Sequence, residues 1–525
     1  MNHTVVAPDS EVDTPRASSI VTRRRLAGNT LANGAASAWS ALVTLALTPF
    51  LLHHLGAASY GLWVLALGLT FSSGYLALAD LGLSEASVKF VAEAHANDDA
   101  NQISEIASTT VAVFTALGIT LAAVAWILAP VLVDLFDVPH RLTGPAQLLF
   151  GLMGLEILVE LPTAAVRSVI EGVQRYGWLR LLDVVSRLLW AVMIVIVVLD
   201  GHSVAALGVV TLAAAAVRAV ASFVVAHRVA PGLRLRLSNV SGPTLHRVLS
   251  LGGLVSGLRV LTVIYAQMDR VIIAMVLAVA SIASYDVAFR MQSVATLVLV
   301  TASSAVVPAA AYNAMRSDHD RQRELYLRGT KYAIAITVPV CIAGLLYARP
   351  LMVGWVGEAF APDATAARLF LVFPIVACVN QVGIAMLIGL GRVHRVLLYQ
   401  AIGVGTNLVV SVVLAQPLGI RGVVIGTLVG GLVVWVPYLR LLLRTFGVRL
   451  AELSRIAFRP ALLPAVAQIA LGVATLRWFS TIDSLAPAAA VSALSCAVFA
   501  LGFARTGLDP DDRAALLRRP SRSRS

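Results

Sequence analysis

The stretch from Leu47 to Glu93, LTPFLLHHLGAASYGLWVLALGLTFSSGYLALADLGLSEASVKFVAE, decides how this chain folds. Two apolar runs meet at a tight turn around Gly56, and Pro49 lies near the end of the first run. The second run is predicted to be a helix that continues to Asp80. An acidic residue at the end of such a helix is costly in a membrane unless it meets water or a partner. The stretch therefore predicts a transmembrane helical hairpin with an acid at its foot.

Apolar residues dominate the rest of the chain as well. It is 58% hydrophobic and 13% charged, whereas soluble domains carry about 25% charged residues. Apolar runs of about 20 residues recur from residue 26 to residue 504 without alternation, which excludes a transmembrane β-barrel. Backbone polar groups must bond to one another in lipid, so each run is predicted to be a helix.

The number and order of these runs predict an all-α polytopic membrane protein with about 14 transmembrane helices. Spans are expected at 26–50, 58–79, 106–134, 145–168, 178–199, 203–226, 248–278, 282–311, 331–347, 365–390, 396–415, 422–444, 459–479 and 486–504. The predicted organisation is a disordered cytoplasmic tail (1–22), a six-helix bundle (23–226), a cytoplasmic connector (227–247), a second six-helix bundle (248–445), two extra transmembrane helices (446–504) and a basic cytoplasmic tail (505–525).

Positive charge is distributed unevenly along this pattern. With the N-terminus inside, cytoplasmic segments carry about 30 Lys and Arg and outer loops about 5. Both termini are therefore predicted to be cytoplasmic, and topology accounts for the net charge of +12 without a nucleic-acid partner. The predicted outer loops are all short. They leave no extramembrane domain on which to build an enzyme.

The two predicted bundles share short motifs. Ala-Ser-Tyr ends at Tyr60 in the first half and at Tyr285 in the second. Gly-Val-Gln-Arg, ending at Arg175, enters the fifth span, and Gly-Leu-Gly-Arg, ending at Arg392, enters the eleventh in the same way. Equivalent elements lie six spans apart, so the halves are predicted to be parallel, pseudo-symmetric repeats, an arrangement that suits alternating access.

Charged side chains inside the spans are the candidate functional residues. Asp183 and Arg187 are four residues apart in the fifth span, as are Asp286 and Arg290 in the eighth. This spacing places both side chains of a pair on one helix face, where they can neutralise each other. Each pair is therefore either a structural intrahelical ion pair or part of a substrate site.

Arg259, in contrast, has no acidic residue three or four positions away. Its guanidinium needs an anion from elsewhere, which is either a carboxylate of another helix or a substrate phosphate that arginine binds bidentately. Arg187, Arg259, Arg270 and Arg290 are therefore the candidate substrate-binding residues. The unpaired Arg259 also argues against a cavity built for cationic drugs.

Four acids are candidates for ion coupling or gating. Glu156 and Glu160 share one face of the fourth span with no basic residue within a turn. Two close carboxylates in a low dielectric resist joint ionisation, so one of them is a candidate proton or cation carrier. A structural role or a contact with an arginine of the fifth span is the alternative. Asp269 lies near the outer end of the seventh span, and Asp80 lies near the predicted inner face.

No cofactor or metal is expected. Cys341, Cys378 and Cys496 lie inside apolar runs, where small core residues are the simpler interpretation than metal ligands or disulfides. No segment resembles the glycine-rich phosphate loop of ATPases, so ATP hydrolysis on this chain is not expected.

Over most of residues 26–444 the chain resembles the O-antigen and polysaccharide flippase family of the multidrug/oligosaccharidyl-lipid/polysaccharide exporter superfamily. The motifs that carry the resemblance are Pro49…Leu55-Gly56…Tyr60-Gly61-Leu62-Trp63, Asp80-Leu81-Gly82-Leu83, Asp269-Arg270…Tyr285…Ala288-Phe289-Arg290…Pro308, Gly389-Leu390-Gly391-Arg392 and Pro417-Leu418-Gly419-Ile420-Arg421-Gly422.

The resemblance implies a V-shaped pair of six-helix bundles around a cationic cavity, as in multidrug and toxin extrusion (MATE-like) carriers. It implies a flippase that moves a polyprenyl-diphosphate-linked oligosaccharide to the outer leaflet of a bacterial cytoplasmic (inner) membrane. Implied partners are the bilayer, a polysaccharide polymerase and other assembly proteins. The alternatives are a cation-coupled multidrug antiporter, a lipid II-type flippase and a non-transporting assembly scaffold.

Overall fold

The computed structural model describes residues 16–70, 74–304, 306, 310, 318–478 and 484–508. Within these ranges the regular structure is entirely helical. The first half contains α1 (Arg16–Leu67), α2 (Leu83–Ala96), α3 (Ala100–Leu135), α4 (Thr143–Gly172), α5 (Tyr176–Leu199) and α6 (Val204–Val229). The second half contains α7 (Gly242–Val276), α8 (Ser281–Ser304), α9 (His319–Val356), α10 (Ala364–Gly389), α11 (Val393–Leu418) and α12 (Ile420–Thr445). The chain then forms α13 (Leu450–Leu453), a π-helical turn over Ser454–Phe458, α14 (Arg459–Trp478) and α15 (Leu485–Thr506).

Among the described residues, 11 helices are long and apolar enough to cross a membrane. The expected all-helical, multi-pass architecture is confirmed, whereas the expected count of about 14 spans is not. The predicted second span is broken into short pieces. The seventh and eighth correspond to α7 and α8, whose sequences carry several charged residues. Residues 1–15 and 509–525 lie outside the described range, and α1 begins at Arg16, so residues 16–22 of the predicted tail are helical.

The hairpin that opens the chain is more irregular than predicted. Gly56, at φ 75°, breaks α1 into two arms, but the second arm ends at Leu67 instead of continuing to Asp80. A short 3₁₀ helix follows over Tyr75–Asp80. The chain can turn this tightly because residue 74 is glycine. A Cβ at Gly74 would lie 2.3 Å from the carbonyl oxygen of Gly68, an approach that only glycine allows.

Asp80 is the last residue of this 3₁₀ helix and lies three residues before the first residue of α2. Leu81 and Gly82 adopt left-handed backbone conformations that end the first element and redirect the chain. Oδ1 of Asp80 accepts the backbone N–H of Ser84 at 2.9 Å. This bond satisfies one of the N–H groups that every helix start leaves free. Asp80 is therefore a helix-capping residue as well as a charged one.

The two halves repeat one turn in detail. After α4, the N–H of Arg175 bonds to the carbonyl of Ile170 at 3.1 Å, and after α10 the N–H of Arg392 bonds to the carbonyl of Leu387 at 2.9 Å. Gln174 and Gly391 hold the same position in the two turns, and both have positive φ, 59° and 72°. This is the helix-ending motif in which one left-handed residue lets the chain reverse. The shared sequence motif thus encodes a shared turn.

The halves touch on both sides of the molecule. On the side that carries the Gly56 turn, predicted to be the outer side, α1 packs against α8 in one continuous apolar core. Gly61 makes this possible, because a Cβ there would lie 2.1 Å from the carbonyl oxygen of Val279. On the opposite side, predicted to be cytoplasmic, α2 packs against α7. The charged groups described below lie at these two contacts and in the space between α1, α4, α5 and α6.

Candidate functional site

Arg259 connects the two halves on the predicted cytoplasmic side. Its Nη1 donates to Oδ2 of Asp80 at 2.6 Å and to Oε1 of Glu85 at 3.0 Å. Asp80 is buried, and the bond joins the start of α2 in the first half to α7 in the second. Of the two expected anions, a carboxylate of another helix is therefore the one that Arg259 meets in this conformation, and an unpaired Arg259 no longer argues against a cavity for cationic drugs. Arg259 and Asp80 also border a cavity of about 350 Å³ that extends to Arg167 and Glu171.

A second cavity, of about 390 Å³, lies within the first half and is hereafter the α1–α5 cavity. Its walls come from α1, α4, α5 and α6. The charged and tryptophan side chains that line it are Trp39, Glu156, Asp183, Arg187, Trp190 and Arg218.

Arg187 is the central cation of the α1–α5 cavity. Its Nη2 donates to Oγ1 of Thr44 at 2.8 Å, and its guanidinium lies over the ring of Trp190, 4.4 Å from the centroid. Its buried Nε has no hydrogen-bond partner, and neither does the buried indole Nε1 of Trp39. Both groups only donate hydrogen bonds. Two free donors that line one cavity form an arrangement suited to an anion.

The expected ion pair between Asp183 and Arg187 does not form. Asp183 instead accepts from Nη2 of Arg167 in α4 at 2.7 Å and from Nη1 of Arg180 at 3.4 Å. Arg167 comes from an adjacent helix and Arg180 lies three residues before Asp183 on α5 itself, so the carboxylate already has two partners other than Arg187. As a result, Arg187 forms no ion pair with any described residue.

Glu160 and Glu156 have different surroundings. Arg218 of α6 bonds to Oε1 of Glu160 through both Nη2 and Nε. The expected contact was with an arginine of the fifth span, but the partner of Glu160 is an arginine of the sixth span. Arg218 was missed, although an arginine inside an apolar run was the signal that could have revealed it. Glu156 is buried and lines the α1–α5 cavity.

Asp286 joins the two halves on the predicted outer side. Its carboxylate accepts from Nε of Arg290 at 2.7 Å, which confirms the expected pair four residues apart. It also accepts from Nη2 of Arg270 at 3.2 Å and from the hydroxyl of Tyr60 at 2.7 Å. Two arginines thus share one buried carboxylate, and this cluster keeps a positive charge next to the interface.

Asp269 lies one residue before Arg270 but faces other groups. Its carboxylate accepts from the hydroxyl of Tyr285 at 2.7 Å, from Oγ1 of Thr427 at 2.8 Å and from Nδ2 of Asn407 at 3.4 Å. Asp269 is only 3% exposed, and no ion pair to it occurs within the described part of the chain. A buried carboxylate held by neutral donors can take up a proton or a small cation when its surroundings change.

The described residues contain no group of three or more His, Cys, Asp or Glu side chains arranged to hold a metal ion. The four candidate arginines thus fall into three places rather than one. Arg187 lies in the α1–α5 cavity, Arg270 and Arg290 lie at the outer contact, and Arg259 lies at the inner one.

Solved structures with this fold are transporters. The chain superposes on the inward closed conformation of the lipid II flippase MurJ with a TM-score of 0.72 at 13% identity, covering 90% of this chain and 98% of that one. An inward-facing multidrug resistance MATE family transporter of the MOP superfamily gives a TM-score of 0.65 at 18% identity, covering 80% and 94%. A MOP superfamily transporter from Pyrococcus furiosus gives 0.57 at 16% identity, covering 80% and 95%. A comparison with curated protein sequences found no match.

The fold is therefore that of these multi-pass membrane transporters and flippases. Residues 54–365 match the model of a family described as polysaccharide biosynthesis protein, and this match covers more than half of the chain. The chain therefore belongs to the polysaccharide biosynthesis protein family.

Proposed function

We propose that this protein moves a polyprenyl-diphosphate-linked oligosaccharide from the cytoplasmic to the outer leaflet of a bacterial cytoplasmic membrane, with both termini in the cytoplasm. The α1–α5 cavity carries this proposal. It is lined by Arg187, which has no ion-pair partner among the described residues, and its two buried N–H donors without acceptors are Nε of Arg187 and Nε1 of Trp39.

A diphosphate is the ligand chemistry that fits this cavity best. Buried donors without acceptors cost free energy, and an anion that bonds to Arg187 and Trp39 removes that cost. Bonds from a guanidinium to a phosphate are charge-assisted and strong. The ring of Trp190, already covered by the Arg187 guanidinium, provides an apolar wall beside the anion. The glycan and the polyprenyl chain are too large for a cavity of about 390 Å³ and extend beyond it.

The alternative of a multidrug antiporter needs a site for cationic substrates. The carboxylates of Asp183 and Glu160 already bond to arginines, so they are poorly placed to bind a second cation. The two free donors favour an anion instead. A lipid II-type flippase shares the diphosphate chemistry, and the substrates in the experiment below distinguish the two.

Alternating access requires that the two contacts between the halves break in turn. The pair of Arg259 with Asp80 is the candidate inner lock, and the cluster of Asp286 with Tyr60 and Arg290 is the candidate outer lock. A diphosphate bound next to Arg187 adds negative charge beside α1, the helix whose Tyr60 contributes to the outer cluster, and thereby changes the balance of that cluster.

Asp269 is the candidate coupling residue. Its carboxylate is buried on α7 and contacts α8, α11 and α12, so a proton or a sodium ion that binds there changes the packing of four helices. We propose that an ion gradient acts on transport through this group. Glu156, at the wall of the α1–α5 cavity, is the second candidate. A polysaccharide polymerase and other assembly proteins are the partners that would receive the flipped substrate.

The experiment is a flipping assay in liposomes that contain the purified protein. Fluorescent polyprenyl-diphosphate-linked sugars report transport when a reductant quenches the outer leaflet, and fluorescent lipid II and a cationic dye are compared in the same vesicles. Arg187→Ala is expected to reduce flipping of the linked sugar by at least about 10-fold, the scale of one lost charge-assisted bond. Arg349→Ala, at an exposed ion pair with Glu358, is the matched control and should retain activity. Transport of the dye alone would overturn the proposal in favour of the antiporter.

A further inference from the structure

Pro49 leaves one backbone carbonyl of α1 without its usual partner. In an α-helix the N–H of residue 49 would bond to the carbonyl of Leu45, but proline has no N–H. A backbone carbonyl without a donor is costly in an apolar environment. The sequence itself therefore creates an acceptor at Leu45 that some other group must satisfy.

That group comes from the other half of the molecule. Nε1 of Trp355, near the end of α9, donates to the carbonyl oxygen of Leu45 at 2.9 Å. Met352, one turn earlier on α9, is fully buried in the apolar core that also contains Leu47 and Leu51 of α1. Trp355 thus bonds to α1 at the place where Pro49 interrupts the helix, and it does so across the contact between the halves.

The same short segment of α1 forms part of the α1–α5 cavity. Trp39 and Ser40 line the cavity. Thr44, the residue before Leu45, accepts the hydrogen bond from Arg187. Whatever fixes the backbone at Leu45 therefore also fixes the acceptor that holds the Arg187 guanidinium.

We propose that Trp355 is a positioning residue that couples closure of the predicted outer side to the shape of the α1–α5 cavity. When the halves are in contact on that side, Trp355 satisfies the Leu45 carbonyl and holds Thr44 beside Arg187. When the halves separate there, the carbonyl loses its donor, the α1 backbone around Pro49 relaxes, and the cavity loses its arrangement for an anion. Only the part of this proposal that concerns an anion in the cavity rests on the proposed function. The coupling itself does not.

A double-mutant cycle between positions 355 and 49 tests the proposal. Trp355→Phe keeps an aromatic ring but removes the N–H. Pro49→Ala restores a backbone N–H that can reach Leu45 within the helix. The reporter is Ala283→Cys, at a position fully buried at the outer contact, in a chain whose Cys341, Cys378 and Cys496 are replaced by alanine. Its labelling rate with a membrane-impermeant maleimide measures how often the outer side opens.

Trp355→Phe is expected to raise the labelling rate about 2- to 10-fold, the range that the net contribution of one hydrogen bond gives. In the Pro49→Ala chain the same change should have little further effect, because the carbonyl then has an internal donor. Trp435→Phe is the matched control: its Nε1 also donates to a backbone carbonyl, that of Val376, but within one half. It should leave the labelling rate unchanged.

Equal effects of Trp355→Phe in both backgrounds would overturn the proposal, because Trp355 would then act by packing alone. If Trp355→Phe does not accumulate, Pro49→Ala alone carries the test, since it removes the need for the Trp355 bond and should also raise labelling. Binding of inorganic pyrophosphate to the same variants gives the second measurement. Weaker binding in Trp355→Phe supports the link to the cavity. Failure of the wild-type chain to bind pyrophosphate counts against the proposed function, while the labelling cycle still decides the coupling.

Discussion

Tyr60 of α1 donates its hydroxyl hydrogen to Oδ2 of Asp286 of α8 at 2.7 Å, a bond between residues 226 positions apart. The repeat partner of Tyr60 is Tyr285, which donates in the same way to Asp269. Both tyrosines thus bond to buried aspartates, but Tyr60 joins the two halves and Tyr285 stays within the second. The duplicated motif has acquired two different uses, one at the interface and one at the candidate coupling residue.

Tyr60→Phe should destabilise the outer contact. It removes one donor from a buried, charged carboxylate, which costs about 1–3 kcal/mol of unfolding free energy. Thermal unfolding in detergent measures the loss, and labelling of Ala283→Cys should rise with it. Tyr438→Phe is the control, because that hydroxyl bonds to the carbonyl of Val396 inside the second half. The interface role is disproved if both variants label alike.

Arg259→Ala should lower stability as well as transport. It leaves the buried Asp80 carboxylate with the Ser84 N–H as its remaining bond among those described above, at a cost of about 1–3 kcal/mol. The quantity of folded protein in the membrane and its melting temperature report this loss. Adding Asp80→Asn to the same chain should recover part of it, since the unpaired charge is then removed. Normal stability with lost transport would instead favour a direct substrate contact for Arg259.

Gly61→Ala should separate α1 from α8. The added Cβ would lie 2.1 Å from the carbonyl oxygen of Val279, a backbone atom that cannot move alone. Overpacking of this kind typically costs about 1–3 kcal/mol. Gly405→Ala in α11 is the matched control: it has no atom within 4 Å of the new Cβ, and its helix should gain up to about 1 kcal/mol. Comparable melting temperatures for the two variants would show that the close approach is unimportant.

Trp39→Phe should weaken anion binding without disturbing the fold. The indole Nε1 has no partner in the described structure, so removing it breaks no existing bond. Calorimetry with inorganic pyrophosphate in nanodiscs should show an affinity about 2- to 10-fold lower, the effect of one hydrogen bond. Trp190→Phe keeps an aromatic ring under Arg187 but loses a bond to Thr211, so its main effect should be on stability. An unchanged affinity in Trp39→Phe would remove this residue from the site.

Asp269→Asn should abolish the dependence of transport on an ion gradient. The amide keeps the size of the carboxylate but does not take up a proton in this range of pH, and without a negative charge it binds sodium more weakly. Liposomes with a sodium gradient alone and with a pH gradient alone identify the coupling ion in the wild-type chain. Glu156→Gln, examined in the same vesicles, tests the second candidate. Gradient-driven flipping by Asp269→Asn at the wild-type rate would exclude Asp269 from coupling.

Several features of the fold followed directly from local sequence. Long apolar runs without alternation required helices, because lipid offers no hydrogen bonds to the backbone. The turns that end at Arg175 and Arg392 formed as equivalent structures, since a left-handed residue at one position suffices to end a helix. The pair of Asp286 and Arg290 formed as its four-residue spacing predicted, whereas Asp183, at the same spacing from Arg187, bonds to Arg167 and Arg180 instead.

The break after Leu67 was missed because hydropathy does not register backbone geometry. Most residues from Tyr60 to Asp80 are apolar, yet a Cβ at Gly74 would lie 2.3 Å from the carbonyl oxygen of Gly68. A count of apolar residues treats those glycines as part of a span. The second predicted span was therefore too regular.

The membrane class, the helical fold and the family motifs were contained in the sequence, because each depends on residues that are neighbours along the chain. The partners of Arg259, Glu160 and Asp183 were decided only when the helices packed. Which charged side chains meet depends on the rotation of each helix about its axis and on its position along that axis. The order of residues in the sequence specifies neither of them. The bond from Trp355 to Leu45 depends on sequence and on tertiary structure together. Because Pro49 has no N–H, the Leu45 carbonyl lacks its donor within the helix, and the contact between the halves determines that Trp355 is the donor instead.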